Sequence, residues 1–99
     1  MASELTIKAD IERLVSTYSL WAVGTTDDPD QVEGEHGSPS TWRSWDAGDH
    51  QTASTIESHF IAKGMEADTG ARFGRTKYVY IFMGLQASLE PVKSVRQRI

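Results

Sequence analysis

The chain has 99 residues, of which 38% are hydrophobic and 24% charged; this is the size and composition of one globular domain and excludes a disordered chain. It contains no cysteine, so disulfides, thiolate zinc sites and cysteine nucleophiles are excluded, and we expect a reducing compartment. Its first residues lack the basic start and apolar run of a secretion signal, and the longest apolar run, 78–83, is too short to cross a bilayer. We therefore expect a cytoplasmic protein with no membrane partner.

The net charge of −4 hides an uneven distribution of charge along the chain. Residues 27–49 carry seven acidic side chains and one basic one, whereas residues 72–99 carry six basic side chains and one acidic one. This asymmetry would create a local field that attracts an anion; the alternative interpretation is a solvated surface with a basic tail. The average charge argues against a dedicated, high-affinity nucleic-acid binder.

The first part of the chain contains two predicted helices with one strand between them. Thr6 is expected to cap a helix over 7–17, whose apolar side chains fall on one stripe. Residues 20–25 are typical of a short strand. Asp28 followed by Pro29 is a helix-start signal, because the carboxylate caps free amides and proline suits the first helical position. Two glycines that follow keep this second helix short.

A predicted loop and a third helix come next. Residues 37–49 are interpreted as a connecting loop that two tryptophans anchor. The helix that starts after Asp49 has a buried stripe of Ala53, Ile56 and Phe60. This regular spacing of apolar side chains makes it the most convincing helix in the chain.

Residues 77–83 form the strongest predicted strand, because they are rich in aromatic and β-branched side chains. Their lack of alternation indicates a central strand covered on both faces, although a buried helix has the same pattern. The tail, 89–99, fits a short helix. These elements predict an α+β fold with a small central β-sheet flanked by helices, in a single domain over 1–99 that ends in a basic and apolar extension, 84–99.

Residues 23–29, His36 and Glu57 resemble three motifs of the GIY-YIG nuclease superfamily: the end of a signature strand, a histidine after a short helix, and a glutamate on a later helix. The resemblance covers about 20–82, with 78–82 as the closing strand. It implies cleavage of phosphodiesters with one divalent cation, Mg²⁺ or Mn²⁺, which needs few protein ligands because it keeps several waters. Glu57 stands at the position of the metal ligand, and His36 at that of the histidine that helps to activate the attacking water.

The chain departs from the pattern of this family at several catalytic positions. Residues 22–24 replace the second signature and lack its tyrosine, and Val32 occupies the position of the arginine four residues before His36. The first signature strand and the late asparagine are not visible either. Because the loss of one charge-stabilising group lowers a rate by about two to three powers of ten, we expect little or no cleavage.

Each candidate site residue also has a structural interpretation. Glu57 suits the solvated boundary of a helix, and His36 suits a helix C-terminus, where an imidazolium complements the helix dipole. Trp42, Arg43 and Trp45 would form a stacking platform for bases with a cation for phosphate. If the two rings are buried, they are anchors of the loop instead.

Arg72 and Arg75 belong to a glycine-flanked stretch, 70–75, that would close over a phosphate. The stretch has neither a Walker lysine–threonine pair nor the glycine spacing of a nucleotide fingerprint. Tyr78 and Tyr80 share one face of the predicted strand, where they would pack in the core or stack bases.

Three functions are compatible with these patterns, and we rank them in the following order. The first is a non-catalytic nucleic-acid-binding module that uses the basic carboxyl-terminal third and residues 42–45. The second is a protein–protein interaction or homodimer formed through apolar side chains of 85–99. The third is a metal-dependent endonuclease that uses Glu57 and replaces the missing groups from elsewhere in the chain.

Overall fold

A computed structural model of the chain describes residues 3–68 and 76–83. Over these residues the chain has the predicted α+β fold, with three α-helices and a four-stranded mixed sheet. None of the helices in this described part is long and apolar enough to span a membrane. The elements in chain order are α1 (Glu4–Leu14), a 3₁₀ turn (Tyr18–Leu20), β1 (Ala22–Thr26), α2 (Pro29–Glu35), β2 (Arg43–Asp46), α3 (His50–Ala62), β3 (Glu66–Ala67) and β4 (Tyr78–Phe82).

The sheet has the strand order β2–β4–β1–β3, so β4 and β1 are its two interior strands. β4 runs antiparallel to both of its neighbours, whereas β1 and β3 are parallel. Gly24 lies opposite Tyr80, and Val23 lies opposite Ile81, in the β1–β4 pair. β4 is buried from Val79 onwards, which confirms the prediction of a central strand covered on both faces.

α1 and α3 cover one face of the sheet. β4 contributes Val79 and Ile81 to this face, because alternate residues of a strand point to opposite sides. α3 buries the predicted stripe of Ala53, Ile56 and Phe60, and burial of one large apolar side chain stabilises a fold by roughly 1.5–3 kcal/mol. The complete core cluster on this face consists of Ile7, Ile11, Val15, Val23, Ala47, Ala53, Ile56, Phe60, Met65, Val79 and Ile81.

α2 covers the opposite face of the sheet. Asp28 caps its first turn by accepting a hydrogen bond from the Gln31 amide at 3.1 Å, and Pro29 takes the first helical position, as predicted. The helix has seven residues, and Val32 is its buried side chain. The smaller core cluster on this face consists of Ala22, Val32, Tyr80 and Phe82, with Trp42 packed against it.

Three boundaries near the amino end differ from the prediction. α1 begins at Glu4, because Ser3 rather than Thr6 is its N-cap: the Ser3 hydroxyl accepts a hydrogen bond from the Thr6 amide at 3.2 Å. The helix ends at Leu14, since the β-branched residues that follow it take up extended backbone conformations. The 3₁₀ turn occupies the predicted start of the first strand, so β1 begins at Ala22.

The prediction of a loop over 37–49 is wrong at its centre, where the chain forms β2. Arg43 and Ser44 are both exposed, so no alternation of apolar side chains marks this strand in the sequence. Pairing of its backbone with β4 defines it instead. The predictions made for residues 70–75 and for the tail lie outside the described residues.

Gly24 is tightly enclosed, because a Cβ atom at this position would overlap the phenol ring of Tyr80. We expect Gly24→Ala to lower the free energy of unfolding by about 1–3 kcal/mol, the usual cost of overpacking a core. Gly34→Ala is the matched control: its methyl group would meet no atom within 4 Å, and alanine is favoured over glycine inside a helix by about 0.5–1 kcal/mol. Urea unfolding measures both changes, and an unchanged stability of Gly24→Ala would contradict the prediction.

Asp49 caps the amino end of α3 by accepting a hydrogen bond from the Thr52 amide at 2.7 Å. This backbone hydrogen bond, together with one from the Thr52 hydroxyl and the charge of His50, lowers the pKa of Asp49 below its ordinary value of 3.8. A carboxyl group with a lowered pKa in the folded state stabilises the fold fully above its unfolded pKa. This contribution is lost as the pH falls through the folded pKa.

We therefore expect the wild type to lose more thermal stability than Asp49→Asn when the pH is lowered from about 5.5 to about 3. Asparagine also caps a helix, but it does not titrate in this range. Melting temperatures of the two proteins across this range test the expectation. A difference that stays constant with pH would show that the charge of Asp49 does not stabilise α3.

Candidate functional site

Tyr80 is the buried anchor of a group of polar and aromatic side chains on the α2 face. It lies opposite Gly24, whose missing side chain provides the space for the phenol ring. The side chain is fully buried, so its hydroxyl requires a hydrogen-bond partner. That hydroxyl donates to Oδ2 of Asp68.

Asp68 comes directly after β3 and is fixed by its backbone as well as by its side chain. Its amide donates to the Val23 carbonyl at 2.9 Å and so extends the parallel pairing of β1 with β3. Oδ2 of Asp68 also lies 3.0 Å from Nε2 of His36. The His36 and Asp68 side chains are 26% and 22% exposed. One carboxylate oxygen therefore joins a buried phenol to an imidazole that solvent reaches.

His36 is the C-cap residue of α2, and its amide donates to the carbonyls of Val32 at 3.1 Å and Glu33 at 3.2 Å. Its ring packs on Phe82, with 4.4 Å between the ring centroids. A neutral imidazole that donates from Nε2 to Asp68 has Nδ1 as an acceptor, whereas an imidazolium donates from both nitrogens. His36 therefore lies at the predicted helix end and has hydrogen-bonding capacity near the surface.

Trp42 lies just before β2 and covers Tyr80. The two rings are stacked, with centroids 4.7 Å apart and an interplanar angle of 15°. The Trp42 centroid is also 6.0 Å from that of Phe82. Trp42 itself is half-buried. Below, Trp42, Tyr80, Phe82 and His36 are called the aromatic cluster.

The structure does not bring Trp42 and Trp45 together. Trp45 lies opposite Val79 in the β2–β4 pair, so it points to the α1 side of the sheet, where its Nε1 donates to Oδ2 of Asp10 at 3.2 Å. Arg43 is exposed on β2, and its Nη1 donates to the Trp42 carbonyl at 2.7 Å. A stacking surface at this end of β2 therefore contains one tryptophan ring rather than two.

His36 and Glu57 lie on opposite sides of the sheet. Glu57 is half-buried on α3, next to Ile56 of the α1–α3 core, whereas His36 packs on the α2 side. Within 3–68 and 76–83, no group of three or more histidine, aspartate and glutamate side chains could hold a metal ion. A metal-binding role for Glu57 stays a prediction, and Arg72 and Arg75 lie outside the described residues.

Sequence reasoning misses Asp68 and the close approach of Tyr80 to Gly24. Asp68 is 32 residues from His36 and 12 from Tyr80, and no spacing rule joins positions so far apart. Two signals point to part of the site. Alternation along a strand places Tyr80 on the same face as Phe82, and a glycine inside a strand often marks the close approach of another group.

Comparisons with known proteins leave the site without a family assignment. No protein-family model, curated protein or solved structure matches the chain. The resemblance to the GIY-YIG superfamily therefore stays a prediction from the residues.

Because Tyr80 donates a hydrogen bond to Asp68, we expect its replacement to cost more stability than replacement of Tyr78, the other tyrosine of β4. Tyr80→Phe removes a buried donor from a carboxylate, and such hydrogen bonds to charged groups stabilise folds by about 1.5–3 kcal/mol, so we expect a loss of this order. Tyr78→Phe is the matched control, because Tyr78 lies on the same strand and face but is half-buried. Denaturant unfolding compares the variants; equal losses of stability would show that the buried hydroxyl has no special role.

Proposed function

We propose that this chain is a non-catalytic binding module that holds single-stranded nucleic acid by stacking a base on Trp42. The observation that carries the proposal is the half-buried Trp42 ring stacked on the fully buried ring of Tyr80. Stacking of a base on an aromatic side chain contributes about 1–3 kcal/mol to binding and tolerates any base. Single strands expose the base faces that this interaction needs.

The support beneath Trp42 is held in place from several directions. Tyr80 belongs to the interior strand β4, its ring fills the space over Gly24, and its hydroxyl is bound by Asp68. A ring that is already held in place loses little conformational entropy when a ligand binds. Trp42 is therefore better suited to stacking than a tryptophan in an unsupported loop.

Polar groups beside the aromatic cluster suit the remaining parts of a nucleotide. His36 is partly exposed and can form hydrogen bonds with the edge of a base. Arg43 follows Trp42 in the chain and is exposed, so it can supply a cation for a phosphate. The sequence provides six further basic side chains over 72–99, and these add to the positive charge available for phosphates.

The alternative of a Mg²⁺- or Mn²⁺-dependent endonuclease has less support. On the pattern of the GIY-YIG family, His36 and Glu57 would act on the same phosphodiester, but they lie on opposite sides of the sheet. The alternative of an interaction through 85–99 depends on residues that the structure does not describe. Binding through the aromatic cluster is therefore the function that the described geometry supports best.

We expect Trp42→Ala to weaken the binding of a fluorescent single-stranded oligonucleotide by about tenfold or more at about 50 mM salt, because one stacking interaction is lost. Trp42→Phe keeps a smaller ring and should have an intermediate affinity. Trp21→Phe is the control, since Trp21 packs against the α1–α3 core and is not part of the aromatic cluster. Fluorescence anisotropy with DNA and RNA strands of the same sequence measures all of these proteins.

The affinity should also fall as salt is added, because phosphate contacts release counterions. A folded wild-type protein with no affinity for either strand would refute the proposal. Unchanged binding by Trp42→Ala would refute only the role that we assign to Trp42. Cleavage of the oligonucleotide with Mg²⁺ that disappears in Glu57→Gln would favour the endonuclease alternative.

A further inference from the structure

β2 is an edge strand with one open side. Among the described residues it pairs with β4 alone. The Ala47 amide donates a hydrogen bond to the Lys77 carbonyl at 2.8 Å. Along an antiparallel strand, the backbone groups of alternate residues face the partner strand, so those of every second residue counted back from Ala47 face β4. The backbone amides and carbonyls of Ser44 and Asp46 consequently point away from the sheet. An edge of this kind is a template for an additional strand.

A groove lies beside this edge, between β2 and α1. It has a volume of about 240 Å³ and is lined by Asp10, Arg13, Leu14, Arg43 and Trp45. The hydrogen bond from Trp45 to Asp10 holds the helix beside the strand. Sites for small molecules have volumes of roughly 300–1,000 Å³, so this groove suits one or two side chains of a peptide better than a whole cofactor.

The groove combines apolar side chains with positive charge. Leu14 is 45% exposed and Trp45 is half-buried. The Arg13 side chain is 70% exposed, and Arg43 is exposed as well. Asp10 already accepts hydrogen bonds from Arg13 at 2.9 Å and from Trp45 at 3.2 Å. On the groove face, two guanidinium groups therefore accompany one carboxylate, an excess of one positive charge. The Asp46 carboxylate lies on the other face of β2, where it accepts a hydrogen bond from the Gly48 amide.

We propose that the open edge of β2 and the neighbouring groove bind an extended, acidic peptide segment of a partner protein. The segment adds to the sheet as a strand and exchanges backbone hydrogen bonds with Ser44 and Asp46. Alternate side chains of this strand face the groove: an apolar side chain packs on Leu14, and a carboxylate pairs with Arg13 or Arg43. The groove lies on the opposite face of the sheet from the aromatic cluster, and the two proposed sites share one named residue, Arg43.

The test uses the isotope-labelled full chain and a capped octapeptide, Glu-Ser-Val-Thr repeated, which places glutamate and valine alternately on one face of an extended strand. We expect shifts in the NMR signals of the Ser44 and Asp46 amides, together with hydrogen exchange slowed about tenfold or more, because both amides gain an acceptor. A peptide with lysine in place of glutamate should bind at least about tenfold more weakly, since its charge opposes that of the groove.

Two variants separate the backbone contribution from the charge. Ser44→Pro removes an outward-pointing amide and leaves the hydrogen bonds to β4 intact, and edge strands tolerate proline at such positions. We expect this variant to bind the glutamate peptide about tenfold more weakly. Arg13→Glu should shift the preference from the glutamate peptide towards the lysine peptide, and it tests the proposal even if Ser44→Pro does not fold. Lys63→Glu is the control, because it makes the same charge change at the far end of α3.

Several results would overturn the proposal. Equal binding of the glutamate and lysine peptides would show that charge does not select the ligand. NMR shifts confined to residues outside β2 and α1 would show that the peptide binds elsewhere. Protection of Ser44 and Asp46 that rises with protein concentration, without peptide, would assign the edge to a second copy of this chain. The same protection produced by a single-stranded oligonucleotide would assign the groove to nucleic acid.

Discussion

Five residues of β1 pair with five residues of β4, and both layers of the protein are built on this ladder. One face of the ladder carries Val23, Val79 and Ile81, on which α1 and α3 close the larger core. The other face carries Tyr80 and Phe82, on which α2 and Trp42 close the smaller one. Because a shift of one residue in a strand register exchanges its two faces, this pairing fixes the positions of both cores and of the candidate site.

The candidate site follows from what a buried hydroxyl requires. Tyr80 fills the space over Gly24, so its hydroxyl is removed from water and needs an acceptor. Asp68 provides this acceptor, and the same oxygen positions His36 at the end of α2. The proposed recognition would thus depend on the same contacts as stability. A substitution that perturbs the ladder at Gly24 therefore also displaces the support beneath Trp42.

The sequence predicts those parts of this arrangement that depend on neighbouring residues in the chain. The cap at Asp28, the start of a helix after Asp49 and the apolar stripe of α3 are local signals, and the structure confirms them. β2 has no such signal, because pairing with distant residues defines it. Its absence from the prediction explains why the two tryptophans are grouped there: a loop imposes no alternation of faces, whereas β2 and the residue before it place Trp45 and Trp42 on opposite faces of the sheet.

The strand order also determines when the domain can assemble during synthesis. β1 and β2 do not pair with each other, since each pairs with β4, and the opposed residues Gly24 and Tyr80 are 56 positions apart. At about 5–20 residues per second, a ribosome needs roughly three to eleven seconds to make the chain between them. The three helices can form locally within this interval, whereas β1 lacks its antiparallel partner. The nascent chain therefore exposes an apolar strand edge, which chaperones would shield until β4 leaves the ribosome.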